Sequence, residues 1–403
     1  SGWKKGARVL ARLDLGRKAG VPYFAIDTSG KQSVLWIAGG GRLLRVVDSG
    51  AALTVAEDLM ERGKNALPGA DRMGIDRKRD EIYVNDAWAG LYRYNGLTGE
   101  GGKLKVTGCD IDVGADDNLY IIGGVGGERS YMGFHRYTRD CKPAPFPAWG
   151  GKHADREAQF GRFGAGYSTK GICVAPDGKT YMLDMYAWNK YWVTVYAPDG
   201  RFLGGPRAKG LNKARPGGAL IDNISNACGG VKVDRAGNIY IGMIGTPENF
   251  KWPDGLKTRV NLALMGSIIK FTPKGGTVWK AGKKSGPKPE GPGIQLYRDG
   301  RPGHFMAGGV KAFGGAAPCT VFGSCACRSP RFDLDEYGRL YVADVVTFKI
   351  RVYDAEGNLI RNVGSYGNPD TGGPGTFRGG HGITKVYTFE EPGAITFQDD
   401  RAH

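Results

Sequence analysis

SPRFDLDEYGRLYVADVVTFKIRVYDAEGNLIRNVG, residues 329–364, divides into four apolar or alternating runs that begin near Arg331, Arg339, Lys349 and Asn358. Glu-Tyr-Gly separates the first two runs and Ala-Glu-Gly the last two. β-Branched and aromatic residues suit a pleated surface, and Gly and Asp supply the turns, so the stretch predicts four short antiparallel strands in a meander. A single sheet of this kind cannot cover both of its faces. It needs neighbours built in the same way.

The chain supplies them. Runs of the same order recur around 22–56, 71–106, 109–146, 171–204 and 229–281, ahead of the unit at 330–364. The clearest copy reads GICVA, Pro-Asp-Gly, KTYMLD, then VTVYA, Pro-Asp-Gly and RFL, between Gly171 and Leu203. A period of roughly 40 to 60 residues with four strands per unit and no helical pattern selects a β-propeller. Residues 7–14 form a further strand with no unit of its own, and 392–403 reads as an inner strand whose partners are missing. The fold expected is therefore an all-β, seven-bladed propeller of four-stranded antiparallel blades, one domain over 1–403. Its seventh blade is incomplete and closed by the N-terminal strand, which removes free sheet edges. The natural chain is then expected to continue past His403.

The pattern resembles that of the NHL-repeat propellers: an apolar strand ending in Asp, a Gly turn, an aromatic strand such as Leu340-Tyr-Val-Ala-Asp344, an Ile-x-Val-Tyr strand and a second Gly turn. The resemblance is strongest around 171–203 and 329–364. It implies the propeller fold, and it leaves function open, because the family includes scaffolds, nucleic-acid binders and a few lyases.

The 68 glycines fall in the turns, where they punctuate the repeats. No apolar run is long enough to span a membrane as a helix. Strand order sorts the connections: tight turns such as Pro176-Asp-Gly, Arg235-Ala-Gly and Glu336-Tyr-Gly lie on one face. Long excursions at 148–170, 204–229, 245–265, 281–330 and 364–392 are expected on the other. Long loops of this kind tend to carry function.

The formal net charge is +16, and cations with interleaved aromatics populate those excursions. Lys152, Arg156, Arg162, Tyr186, Trp188, Arg207, Lys209, Arg215 and Trp252 are the candidate binding residues, suited to an acidic protein or an anionic polymer. A charge spread for solubility is the plain alternative. The sequence holds no nucleic-acid module, which argues against nucleic acid as the partner.

Cys228, Cys319, Cys325 and Cys327 lie on connections leading into neighbouring blades and are the disulfide candidates, with a metal site or free thiols as alternatives. Disulfides would place the protein in an oxidising compartment, secreted or periplasmic, its signal peptide removed. Cys173 falls inside a strand pattern and reads as a small core residue.

Catalytic signals are thin. His153 and His304 on long-face loops, with Tyr186, are the candidates. The amidating-lyase branch of these propellers uses channel histidines to hold a metal, but no local motif here matches it. No cofactor is expected, and no motif supports a structural calcium or zinc ion. The leading reading is an extracytoplasmic binding or assembly module that turns a basic long-loop face toward an acidic partner. The alternatives are a propeller lyase acting on an acidic polysaccharide and a subunit of a larger extracytoplasmic complex.

Overall fold

The computed structural model describes residues 23–27, 33–39, 41–48, 53–64, 67, 72–76, 78–86, 90–106, 110–122, 134–149, 169–187, 190–203, 219–225, 227–248, 250–251, 266–280, 287–295, 302–316, 332–344, 349–363, 397–398 and 401–402. A first sheet orders β1 (Tyr23–Asp27), β2 (Ser33–Gly39), β3 (Arg42–Asp48) and β4 (Leu53–Asp58), followed by the short helix α1 (Leu59–Arg62). The second contains β5 (Arg72–Asp76), β6 (Glu81–Asp86), β7 (Gly90–Asn95) and β8 (Gly101–Lys103). In the third are β9 (Asp110–Val113), β10 (Leu119–Ile122) and β11 (Phe134–Tyr137), with Tyr137 bridged to Pro143 at the fourth position.

The remaining strands merge into two larger sheets and a hairpin. They are β12 (Thr169–Val174), β13 (Thr180–Ala187), β14 (Lys190–Tyr196), β15 (Ile221–Ser225), β16 (Ala227–Val233), β17 (Ile239–Ile244), β18 (Thr246–Pro247), β19 (Gly266–Phe271) and β20 (Gly276–Lys280). Next come β21 (Gly293–Gln295), β22 (Pro302–Ala307), β23 (Gly309–Ala316), β24 (Phe332–Leu334), β25 (Leu340–Asp344), β26 (Lys349–Tyr353) and β27 (Leu359–Val363). A two-residue hairpin, β28 (Phe397–Gln398) with β29 (Arg401–Ala402), ends the chain. Three further antiparallel four-strand sets lie within the larger sheets: β12-β13-β14-β15, β16-β17-β19-β23 and β24-β25-β26-β27.

Strand alternation decides which neighbour each side chain meets. On the third sheet Ile111, Leu119 and Ile121 pack toward Tyr83 and Leu91 of the second, while Tyr120, Ile122 and Phe134 pack toward Ile172, Met182 and Tyr196 of the fourth. On the fifth, Val231, Val233 and Ile241 join the fourth sheet's Leu183 and Val193, and Tyr240 and Ile268 join Phe332, Leu340 and Val342 of the sixth. Each fully buried aliphatic side chain, such as Ile241 or Leu340, contributes about 1.5–3 kcal/mol. The core is thus a series of wedges between radial sheets, which is the packing of a β-propeller.

The inner strands follow one another round the axis: β1 lies against β5, β5 against β9, β9 against β12, β12 against β16 and β16 against β24. β24 in turn lies against β1, which closes the cycle at six inner strands among the described residues. This corrects the expected seventh blade. Direct contact between β24 and β1 leaves no room for another inner strand between them, and β28 pairs with β29. Residues 7–14 lie outside the described residues.

Two outer strands also differ from expectation. The outer position of the fourth sheet is split: Phe202 bridges Tyr196 and Leu203 N donates to Val195 O, then Leu220 N donates to Val193 O and β15 continues along β14. Residues on both sides of 204–218 therefore belong to one outer strand position, and the excursion itself lies outside the described residues. In the fifth sheet the pattern at 277–280 looked like the outer strand, but β23 takes that place beside β19. β20 instead runs parallel to β15 and pairs with β22, making an inserted sheet with β21 and β18. That sheet has its own apolar face, Val278, Ile294 and Met306, which packs into the wedge between the fourth and fifth sheets. Burial of that face separates β20 from β19.

The tight turns are built by one device. Gly178, Gly237 and Gly338 adopt positive φ and donate back to the carbonyls of Ala175, Asp234 and Asp335. In two of these turns the first residue is Asp, whose side chain also accepts from the next strand. Asp234 Oδ2 accepts from the Tyr240 hydroxyl at 3.2 Å, and Asp335 Oδ2 from that of Tyr341 at 3.3 Å. Tyr120 donates likewise to Asp116, and Tyr83 to Glu81.

Candidate functional site

Six residues share one register of the inner strands, each opposite an aromatic residue of the second strand. They are Ala25 opposite Trp36, Gly74 opposite Tyr83, Asp112 opposite Tyr120, Cys173 opposite Tyr181, Lys232 opposite Tyr240 and Asp333 opposite Tyr341. The layer is small on the first two sheets and polar on the other four. Lys232 Nζ lies 3.3 Å from Asp333 Oδ1. Lys232 belongs to the innermost strand layer, and 24% of its side chain is open to solvent.

The aspartates on β9 bind the free backbone edge of β12. Asp110 Oδ2 accepts from Ile172 N at 3.1 Å and Asp112 Oδ2 from Val174 N at 2.8 Å, while their Oδ1 atoms accept from Ile111 N and Val113 N. An inner strand has no further strand to pair with, and these carboxylates take that role. Close approach continues at Gly171, where a Cβ would stand 2.7 Å from the Gly230 Cα.

Burial pushes the Asp112 carboxyl up, against the pull of Lys232 and the two backbone donors. Burial also works against the Lys232 ammonium, yet Asp333, Asp112, Cys173 and Asp110 outweigh it and hold its pKa above the ordinary value. Burial raises the Cys173 thiol to about 12, with the neighbouring Asp112 adding to the shift. At neutral pH Lys232 is therefore an ammonium and Cys173 a thiol, so neither is primed as a base or nucleophile. The layer joins four inner strands by charge and hydrogen bonds. Among the described residues no three His, Cys, Asp or Glu side chains are placed to hold a metal ion.

The sequence candidates sit elsewhere. His304, expected on a long-face loop, lies in β22 of the inserted sheet, beyond the outer strand of the fourth sheet and away from the channel. Tyr186 lies on β13 and Cys228 on β16. Lys152, His153, Arg156, Arg162, Trp188, Arg207, Lys209, Arg215, Trp252, Cys319, Cys325 and Cys327 fall outside the described residues. Cys173 is buried in β12, as its strand pattern indicated. Sequence reading passed over Asp112, Lys232 and Asp333. The signal for them was a charge set between two apolar residues in each inner strand, as in Val231-Lys232-Val233.

The chain is a β-propeller. No protein-family model matches it, and no curated protein sequence matches it. Among solved structures it is similar to a gluconolactonase from Xanthomonas campestris at 13% identity, covering 87% of each chain with a TM-score of 0.40. It is also similar to virginiamycin B lyase from Staphylococcus aureus at 11% identity, over 86% of this chain and 85% of that one, with a TM-score of 0.40. A protein of unknown function from Bacteroides thetaiotaomicron aligns at 15% identity over 56% of this chain and 69% of its own, with a TM-score of 0.31. No helix among the described residues is long and apolar enough to cross a membrane.

Proposed function

We propose that this propeller is an extracytoplasmic binding or assembly module that docks an acidic protein or an anionic polymer through its basic excursions. One observation carries the reading. The outer strand of the fourth sheet is interrupted between Leu203 and Ala219, and the inserted GGPRAKGLNKARPGG holds Arg207, Lys209, Lys213 and Arg215 with no acidic residue. Outer strands are the solvent side of a propeller, and the residues flanking this insertion, Leu203 and Leu220, both bond β14 in that outer position. The axial layer, in contrast, satisfies its own charges and supports a structural part.

The repeat pattern supports an NHL-like origin for the blades. A seventh blade completed from beyond His403 would require the β24–β1 contact to open. Pairing among Cys228, Cys319, Cys325 and Cys327 belongs to the same proposal, and peptide mapping under non-reducing conditions reads it out.

The test of the binding role is retention on immobilised poly-glutamate and on heparin against a rising salt gradient. Binding dominated by lysine and arginine contacts weakens steeply with salt. The quadruple variant Arg207→Gln, Lys209→Gln, Lys213→Gln, Arg215→Gln is expected to elute from at least one of the two supports at clearly lower salt than the parent protein. Unchanged elution of a folded variant from both supports would remove the proposal.

A further inference from the structure

The tyrosine that opens the second strand breaks pattern in one unit. Tyr120, Tyr240 and Tyr341 each donate to a carboxylate of their own turn, namely Asp116, Asp234 and Asp335, and Tyr83 donates to Glu81 at the start of its own strand. Tyr181 holds the same register on β13, opposite Cys173. Here the first turn position, Asp in the fifth and sixth units, is Ala175. Asp177, the counterpart of Asp116, accepts from the Lys179 backbone N at 3.1 Å and its Nζ at 2.5 Å, as Asp116 accepts from Asn118, but it receives no bond from the tyrosine.

The Tyr181 hydroxyl therefore has no hydrogen-bond partner among the described residues, although the residue is only 7% exposed. The hydroxyl is not sealed in the core but opens into a cleft, where an incoming acceptor can reach it. Tyr181 lines a cleft of about 430 Å³ between the tight turns of the fourth and fifth sheets. Its apolar part is made by Val195, Leu203, Leu220 and Pro273, and Lys179 and Arg235 line it as well, the first ion-paired with Asp177, which also lines the cleft, and the second with Glu336. A concave site of this size with an apolar part and a few convergent polar groups suits a small ligand.

We propose that this cleft is a binding site for a small carboxylate on a compact apolar body, the ligand's carboxylate supplying the acceptor that the third, fifth and sixth units supply from their own turns. The phenol donates to that carboxylate, a charge-assisted bond that a neutral acceptor does not match, and the apolar body covers the exposed Leu203. Burial and the nearby Asp177 push the Tyr181 hydroxyl up to about 12, so it remains a donor throughout the neutral range. The proposal uses none of the cations of the basic insertion, and it stands or fails independently of the retention experiment.

The experiment is calorimetric titration of the full chain with phenylacetate and with its neutral counterpart phenylacetamide. Phenylacetate is expected to bind, and phenylacetamide to bind at least about tenfold more weakly. Tyr181→Phe should weaken phenylacetate by about tenfold or more. Ala175→Asp should block it by giving Tyr181 an internal acceptor. The backbone already permits that residue, since Ala175 N bonds Lys179 O as Asp234 N bonds Asn238 O and Asp335 N bonds Arg339 O. Both variants keep a packed ring, and unchanged circular dichroism and melting identify them as folded. No binding of phenylacetate, equal binding of the amide, or unchanged affinity in both folded variants would overturn the proposal.

Discussion

Lys232 on the fifth inner strand and Asp333 on the sixth form an ion pair in the innermost strand layer, 3.3 Å apart, with the lysine side chain 24% exposed and the aspartate 12%. Attraction and desolvation oppose each other in such a pair, but removal of one partner leaves the other charge uncompensated in the interior. Lys232→Met is therefore expected to destabilise the protein by about 2–4 kcal/mol, read as a lowered melting temperature. Lys232→Met combined with Asp333→Asn should recover part of the loss. A single variant as stable as the parent would contradict the pairing.

The same pair has a pH signature. The folded-state pKa of Lys232 lies above its unfolded value, so its stabilisation is fully present below the unfolded value, about 10.4, and is lost as pH rises through the folded one. Melting temperature measured upward from pH 9 should fall more steeply in the parent than in Lys232→Met. Parallel curves would show that Lys232 gains nothing from its neighbours.

Between the second and third sheets the turns are locked by Arg139, which donates to both Asp76 and Glu81. Arg79 reaches Asp117 at 2.8 Å but is much more exposed. Arg139→Ala, which strips a nearly fully buried carboxylate of its main partner, should cost about 2–3 kcal/mol. Arg79→Ala should cost clearly less, because its close pair with Asp117 is exposed and screened and its reach to Asp76 is the longer one, 3.3 Å. Thermal melting of the two variants at low and high salt checks the order; equal losses would contradict it.

Tyrosine-to-phenylalanine changes should divide by partner. Tyr240→Phe deletes a bond to the buried Asp234 and should cost about 1–3 kcal/mol. Tyr181→Phe deletes no internal bond and should leave ligand-free stability within about 0.5 kcal/mol of the parent. Comparable destabilisation by both would mean that Tyr181 has an internal partner after all.

Gly171→Val places a branched side chain where a Cβ alone would meet the Gly230 Cα at 2.7 Å and Val231 N at 2.8 Å. Backbone atoms cannot yield as side-chain ends do, so the inner strands of the fourth and fifth sheets must separate. A large fall in melting temperature or loss of soluble expression is expected, whereas Gly102→Ala, with open space around it, should be tolerated. A stable Gly171→Val variant would show that the two strands are not in contact.

The strands and tight turns were legible because they depend on local chemistry: positive φ at Gly178 or Gly237, and apolar alternation on either side. Pairing between sheets depends on contacts far apart in sequence. Residues 277–280 carry a good strand pattern beside β19, but nothing local says that Val278 will face Met306 across an inserted sheet while β23 returns to take the outer edge. His304 was misplaced for the same reason. The cleft was readable in principle, since setting the units in register shows Ala175 where Asp234 and Asp335 stand. What sequence could not show is that Tyr181 would not bond Asp177 as Tyr120 bonds Asp116.

The account rests on a ring that closes with β24 against β1, since the axial layer and the inter-sheet wedges follow from it. A crystallographic or electron-microscopy map that resolves individual strands tests this most directly. The prediction is six radial sheets, with 332–334 directly beside 23–27 and Lys232 reaching Asp333 in the innermost strand layer. A seventh sheet between those strands, or a gap in the ring at that place, would contradict it.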